Sequence, residues 1–281
     1  MRDPYVTRAV AVAVEAAREH GLPAGEPVVL ADRSNVLVRL GHVVARVPAT
    51  TLLTRPGIAD WLARDVRLAT FLSGLGAPVV PPTTDAPPGP HLVKGLPVTF
   101  WRYVRHDPAQ VPAPADVAAS LAQVHEALRG YPGELPSDGP AAELRRMFGL
   151  LADELGDALP ALRTRLGEVA EAIARAPGPV QPLHGDAHPG NLLVTDEGPL
   201  WTDFEDTWRG PLAWDLAVLA RTSLIDGAAA LAAYPGRPDP AGLTPFAELR
   251  RLFGVCWRFV VARRFPHRLA EAREALAAYL A

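Results

Sequence analysis

Residues 180–210 interrupt the helical periodicity of the second half of the chain with a stretch punctuated by Pro, Gly, Asp and Asn, and this interruption narrows the architecture more than any other feature. Before it, Val117, Leu121, Val124 and Leu128 make one apolar helical stripe, and residues 141–175 predict two further helices separated at Pro160. After it, Pro211 restarts a helix through Leu212, Leu216 and Leu219, and helices over about 244–265 and 268–280 finish the chain. Inside the stretch, short strands at 191–195 and 199–204 flank an Asp196–Glu197–Gly198 turn. The second half is therefore expected to be a helical body carrying a compact hairpin insert.

The first part of the chain follows a different rhythm. Val6, Val10, Ala13, Val14 and Ala17 predict a leading helix over 4–20, closed by Gly21 and Pro23. Three β-rich runs come next, at 27–31, 35–40 and 42–47, the last two joined by a turn at Gly41, so a small antiparallel meander is expected. A helix opening at Pro56 carries Ile58, Trp61, Leu62, Leu68, Ala69 and Leu72 on one side, and Asp65 falls inside that stripe. A carboxylate on a buried helix face is costly without a cation opposite it, so Asp65 calls for a basic mate. Residues 78–90 read as loop, and a hairpin at 91–93 and 98–104 surrounds Lys94–Gly95. Three prolines without apolar periodicity mark a connector at 107–114. The division expected is a first lobe at 1–106 and a second at 107–281, an α+β chain with a small antiparallel sheet and one main helix before a larger, mostly helical part.

Composition removes several functions. With 28 basic residues against 31 acidic ones, a net charge of −3, the chain lacks the dense basic footprint that duplex binding needs, and no nucleic-acid partner is expected. Cys256 is the single cysteine, so neither an intrachain disulfide nor a two-cysteine zinc clip is available; beside Phe253, Trp257 and Val260 it reads as core. No apolar run approaches the roughly 18 residues of a membrane span, and a cytoplasmic location is expected. Of the basic residues only Lys94 is a lysine, so a mechanism needing a lysine has one candidate.

Polar chemistry concentrates between His184 and Gly210, in HGDAHPGNLLVTDEGPLWTDFEDTWRG. Asp186 and Asn191 lie five apart around a turn, and a hairpin returns Asp203 beside Asn191. Two carboxylates and an amide oxygen make a hard, oxygen-rich site of the kind magnesium takes together with phosphates and water. Phosphoryl transfer needs that layout, because its transition state asks the protein to place metal, phosphates and acceptor hydroxyl in line.

On these residues the chain resembles the aminoglycoside phosphotransferase family, whose fold is that of the protein kinases. His184–Gly185–Asp186 followed by Asn191 is similar to the family's HGD-x4-N catalytic loop, and Asp203–Phe204–Glu205–Asp206 stands where kinases carry DFG. The resemblance implies that Asp186 orients and deprotonates the acceptor hydroxyl with His184 as an orienting residue, and that Asn191 and Asp203 hold magnesium. It also implies that Asp215 braces the catalytic loop through backbone hydrogen bonds and that His188 belongs to its scaffold. ATP or GTP would bind near Trp101–Arg105, with Arg46 taking the place of the kinase lysine on the phosphates and Asp65 as its mate. Ser34 and Asn35, in a covering turn without glycine, are expected to offer hydrogen bonds to the phosphates.

The acceptor implied is a small molecule with a free hydroxyl, an antibiotic of aminoglycoside or cyclic-peptide type whose inactivation gives resistance. A metabolite kinase acting on choline, homoserine or a sugar is the alternative, as is a nucleotide-binding pseudokinase. Asp153 and Asp157, on one helix with Glu154, together with Glu205 and Asp206, are the candidates to face an amine-rich acceptor. Lys94 and His125 are expected to have no functional part.

Overall fold

The computed structural model describes residues 4–281 apart from 24, 177 and 237. In chain order the elements are α1 (Pro4–Glu19), β1 (Val28–Asp32), β2 (Asn35–Leu40), β3 (Val43–Pro48), α2 (Ile58–Gly74), β4 (His91–Val93) and β5 (Leu96–Arg102). Then come α3 (Pro114–Arg129), α4 (Gly139–Leu150), α5 (Ala152–Leu155), α6 (Leu159–Arg175), β6 (Val180–Pro182), β7 (Leu192–Thr195), β8 (Gly198–Trp201) and β9 (Arg209–Pro211). Four helices end the chain: α7 (Ala213–Ala220), α8 (Gly227–Ala233), α9 (Thr244–Arg264) and α10 (Leu269–Leu280). The chain divides into two units, Met1–Pro112 with Gly190–Asp206, and Ala113–Pro189 with Thr207–Ala281. A single cut in the connector assigns 190–206 to the second lobe. In the structure that hairpin is tied to the first unit, since Val80 N–H donates to the Trp201 carbonyl at 2.9 Å and Trp201 N–H to the Pro78 carbonyl at 2.8 Å.

In the first unit an antiparallel sheet has the order β1-β2-β3-β5-β4. Strand alternation sorts the side chains of β3. Val43, Ala45 and Val47 join Val36, Val38 and Leu40 of β2 in a core shared with Ala9, Val12, Ala13 and Ala16 of α1. Val44 and Arg46 therefore project from the opposite face, as do Asn35 and Leu37 of β2 and Thr99 of β5, whose register sets Arg46 against Leu37 and Thr99. Both hairpin corners fit the turns they form: Gly41 has φ 64°, and Lys94 and Gly95, at φ 48° and 77°, make a two-residue turn. Because that turn is so tight, β5 starts at Leu96 rather than at 98. Helix α2 starts at Ile58 rather than at Pro56, after Gly57 with φ 68°.

The second unit is helical except for the short β6–β9 pair, which was not anticipated. Helix α9 is its spine and packs against α4, α6, α7 and α10, burying Phe246, Leu249, Leu252, Val255, Cys256, Phe259 and Val260. Cys256 is core as expected, and burial pushes its thiol up to about 12. Pro160 falls in the first turn of α6, where its missing N–H costs nothing, so it opens a helix instead of breaking one. Asp153, Glu154 and Asp157 do not share a helix: α5 ends at Leu155, and Asp157 lies in one tighter 3-10 turn.

Candidate active site

In the first unit the opposite face of β3 gathers charge. Arg46, 5% exposed, donates from Nη1 to Asp65 at 2.7 Å and from Nη2 to Asp203 at 2.5 Å, and pairs with Glu205 at 2.9 Å. The Asn35 amide, turned as its neighbours require, sets its oxygen 2.6 Å from Nη2 and 3.0 Å from Nε of Arg46 while its nitrogen donates to Thr51 Oγ1. Asp65, fully buried on the α2 stripe, also accepts the Phe204 N–H at 2.9 Å. One helix carboxylate thus fixes both the strand arginine and the backbone just after Asp203. Asp203 has φ 71°, a left-handed conformation that aspartate tolerates better than most residues.

A second arginine closes the cluster. Arg55 pairs with Glu205 at 2.8 Å and with Asp206 at 2.6 Å, and its guanidinium lies 4.3 Å from the centre of the Trp61 ring. Arg64, on the same ring, donates to the Glu205 carbonyl. Burial, then Asp203 and Glu205, raise the Asp65 carboxyl to about 7 against the opposing charge of Arg46. Burial raises Glu205 as well. For Arg46, burial works against the charged form, but Asp203, Glu205 and Asp65 outweigh it and hold the guanidinium protonated.

The β7–β8 hairpin brings Asn191 and Asp203 to one end of its ladder. Leu192 pairs with Trp201, and the Thr202 N–H donates to the Asn191 carbonyl at 2.9 Å. Their carboxylate and amide oxygens are of the hard type that could hold a divalent ion. The surrounding charge agrees with this, since Asp65, Asp203, Glu205 and Asp206 outnumber Arg46, Arg55 and Arg64. Among the described residues no group of three or more His, Cys, Asp or Glu is placed to hold a metal by itself.

In the second unit Asp215 of α7, fully buried, organises the loop at 184–188. Its carboxylate accepts the N–H of His184 at 2.7 Å and of Gly185 at 3.0 Å, and meets His125 Nε2 at 2.9 Å. His125 in turn meets the Tyr234 hydroxyl at 2.8 Å, and Trp214 Nε1 donates to the Gly185 carbonyl at 2.7 Å. Asp186 follows with 23% of its side chain exposed, paired with Arg250 of α9 at 2.7 Å and with His188 Nε2 at 3.2 Å. Burial alone would raise Asp186, but Arg250 first and His188 next hold its carboxyl well below the usual range.

Several expected placements differ. Asn35 does not offer its amide outward, because it starts β2 on the Arg46 face and is buried there. The Ser34 carbonyl accepts the Ala49 N–H, which pins the covering turn to its own unit. Glu205 is not substrate-facing: two arginines draw it inside, to 2% exposure. Asp206 is the outer partner of Arg55. Asp153 and Asp157 stay exposed at the surface, and Glu154 between them is held by Arg263. No sequence signal marked Arg55 or Arg250, and His125, expected to have no functional part, braces Asp215. The signal for His125 was its place inside the apolar stripe of α3, where an imidazole needs partners.

Comparison with known proteins agrees with this framework. Over 155 residues, 55% of this chain, the sequence is 30% identical to methylthioribose kinase of Cronobacter sakazakii (strain ATCC BAA-894), and the match spans about a third of that protein, 32%. Among solved structures, a choline/ethanolamine kinase family protein from Mesorhizobium loti superposes with a TM-score of 0.63 at 18% identity, covering 96% of this chain and 94% of that one. The GDP and kanamycin complex of APH(2")-IIia gives 0.66 at 19% identity, covering 91% and 93%. These neighbours establish a kinase-like fold. The model of the phosphotransferase enzyme family matches residues 26–249, and the chain belongs to that family.

Proposed function

We propose that this protein transfers the γ-phosphoryl group of ATP or GTP to a hydroxyl of a small molecule, with Asp186 as the base. The observation that carries this reading is the loop at 184–188: Asp215 and Trp214 tie down the backbone of His184 and Gly185, and the carboxylate that follows is left partly open to solvent. Such a carboxylate is preorganised at no further cost when substrate arrives. In the step itself, the acceptor hydroxyl gives its proton to Asp186, its oxygen bonds to the γ-phosphorus, and the bond to the β-phosphate oxygen breaks to release nucleoside diphosphate.

Asn191 and Asp203 would hold magnesium, which supplies neutralising charge to the phosphate oxygens. Asp203 is kept in its left-handed conformation by Arg46 on its carboxylate and by Asp65 on the next N–H. Arg46 acts here as a positioning residue, because its guanidinium already faces three carboxylates and an amide oxygen. Asp215 and His125 do the same for the loop. The relatives named above act on different acceptors, so the acceptor has to be argued from this chain's own residues. An amine-rich antibiotic draws no support from the acids expected to receive it: Glu205 is buried, Glu154 is paired, and Asp153 and Asp157 form no cluster.

The test is magnesium-dependent release of nucleoside diphosphate from ATP and GTP over a panel of sugars, choline, homoserine, hydroxy acids and aminoglycosides. Asp186→Ala should abolish stimulated release while nucleotide affinity stays within about threefold. A variant turning over at the wild-type rate refutes the assignment, and nucleotide-induced thermal stabilisation without transfer to any acceptor favours the pseudokinase reading.

A further inference from the structure

Arg250 has no part in the chemistry above, yet it stands against the proposed base. It rises from the middle of α9 with 28% of its side chain exposed, and its Nη2 lies 2.7 Å from Asp186 Oδ1. Among the described residues Asp186 is its only ionic partner, and its Nε and Nη1 meet no protein acceptor. A guanidinium presents five N–H donors in a planar fork, so most of this fork is unused.

The rest of that helix face adds to the picture. One turn on, Phe253 lies with its ring 5.9 Å from the Arg250 guanidinium carbon and stacks on Trp257, with ring centres 6.2 Å apart and planes inclined by 17°. Both rings are half-buried. Gly254, between them on the helix, would add only a 3.5 Å contact to the end of the Arg258 side chain if it carried a Cβ, so this part of the face is open. Residues 244–281 hold seven arginines against three acidic residues. A cationic acceptor brought to Asp186 would meet Arg250 at close range and a helix pair of its own sign.

We infer that Arg250 selects the acceptor, and that the acceptor is a hydroxyl-bearing small molecule carrying a carboxylate or phosphate group. Its anionic group takes the open edge of the Arg250 fork, its ring or chain lies along Phe253 and Trp257, and its hydroxyl reaches Asp186. Arginine favours this pairing because carboxylate and phosphate oxygens match its bidentate geometry. In the absence of acceptor, Asp186 serves as the anion. Binding of an anionic substrate divides the guanidinium between the two and leaves Asp186 freer to accept a proton. This inference rests on the role given to Asp186 above, but it is tested by binding, which does not depend on turnover.

The experiment is calorimetric titration of the full chain with gluconate, glycerate and glucose 6-phosphate, against glucose and glucosamine, at low salt. At least one anionic probe should bind tenfold or more tightly than glucose, with glucosamine weaker still. Arg250→Gln should erase that preference, Arg250→Lys should keep part of it, and Asp186→Asn should tighten the anionic probes by removing the internal competitor. Thermal unfolding of each variant establishes that it folds; if Arg250→Gln is unstable, the Asp186→Asn gain still decides. A preference for glucosamine, no anionic probe tighter than glucose, or an unchanged order in Arg250→Gln overturns the inference. Failure of the base assignment has a different signature, namely an Asp186→Ala enzyme that still turns over.

Discussion

Replacing Arg46 by Met removes one guanidinium from three carboxylates while keeping most of the side chain's apolar bulk. Arg46 is 5% exposed, and its contacts with Asp65, Asp203 and Glu205 run from 2.5 to 2.9 Å. Breaking a buried ion pair from one side costs about 3–5 kcal/mol, because the remaining charge stays desolvated. Arg55 still neutralises Glu205 and Asp203 is 27% exposed, so about 3–4 kcal/mol, the lower half of that range, applies to the loss as a whole. At about 2–4 °C per kcal/mol for a chain of this size, Tm should fall by on the order of 10 °C. The loss should also depend on pH with a definite sign. Asp65 is already raised to about 7, so its folded form holds the proton more tightly than the unfolded chain does. Its contribution is therefore most favourable below about pH 4 and is lost as pH rises through 7. Without Arg46 the opposing charge is gone, the folded value climbs further, and the gap between variant and wild type widens toward alkaline pH. Thermal unfolding at pH 5 and pH 8 measures both effects. A fall under about 2 °C, or an equal fall at the two pH values, would refute the assignment of Arg46 as the charge that holds this cluster together.

Two further outcomes follow from the second unit. Asp215→Asn keeps the shape but has one acceptor oxygen where His184, Gly185 and His125 converge; an unmade buried hydrogen bond costs about 1–3 kcal/mol, and the disturbed loop should lower kcat by about a hundredfold with nucleotide affinity unchanged. Steady-state kinetics beside calorimetric nucleotide binding distinguish that pattern from general unfolding. Asp186 should stay ionised far into acid, since Arg250, His188 and His184 together outweigh its burial. In Arg250→Gln the acid limb of kcat should move up toward the ordinary carboxylate range, and a limb that does not move removes Arg250 from the list of causes.

What the sequence made legible was whatever depended on local periodicity. The α2 stripe alone marked Asp65 as a buried carboxylate; Arg46 as its mate came from the resemblance, and the structure pairs the two at 2.7 Å. The return of the strand at Thr202 to Asn191 could be read from hairpin length. Partners far apart in the chain carried no such signal: Arg55 and Glu205 are separated by 150 positions, and His125 and Asp215 by 90. Strands of three residues, as in β6 and β9, are too short for alternation to register, and α8, mostly alanine, shows little apolar contrast. Linear order also hides the return of residues 190–206 to the first unit, because the contacts that reveal it, backbone pairing with residues 78–80 and the ion pairs of Arg46 and Arg55, join positions more than 100 apart.

Three departures from the kinase pattern turn out to touch one another. By the resemblance drawn from the sequence, the covering turn lacks glycine and ends in Asn35, Arg46 takes the strand position of the kinase lysine, and Glu205 falls where DFG has glycine. In the structure the Asn35 oxygen faces Arg46, and Arg46 faces Glu205. A lysine offers a point charge on a flexible stem, whereas the arginine fork can serve Asp65 on one edge and Asp203, Glu205 and Asn35 on the other. A glycine in place of Glu205 would leave part of that fork without an acceptor. The three residues should therefore behave as a unit. Arg46→Lys and Glu205→Gly should each destabilise the protein, and the double variant should be less destabilised than the sum, with a coupling of about 1–3 kcal/mol in a double-mutant cycle. Denaturant unfolding of the four proteins gives that number. Additivity within about 0.5 kcal/mol would mean that the substitutions sit side by side without depending on each other, and that Glu205 is held by Arg55 alone.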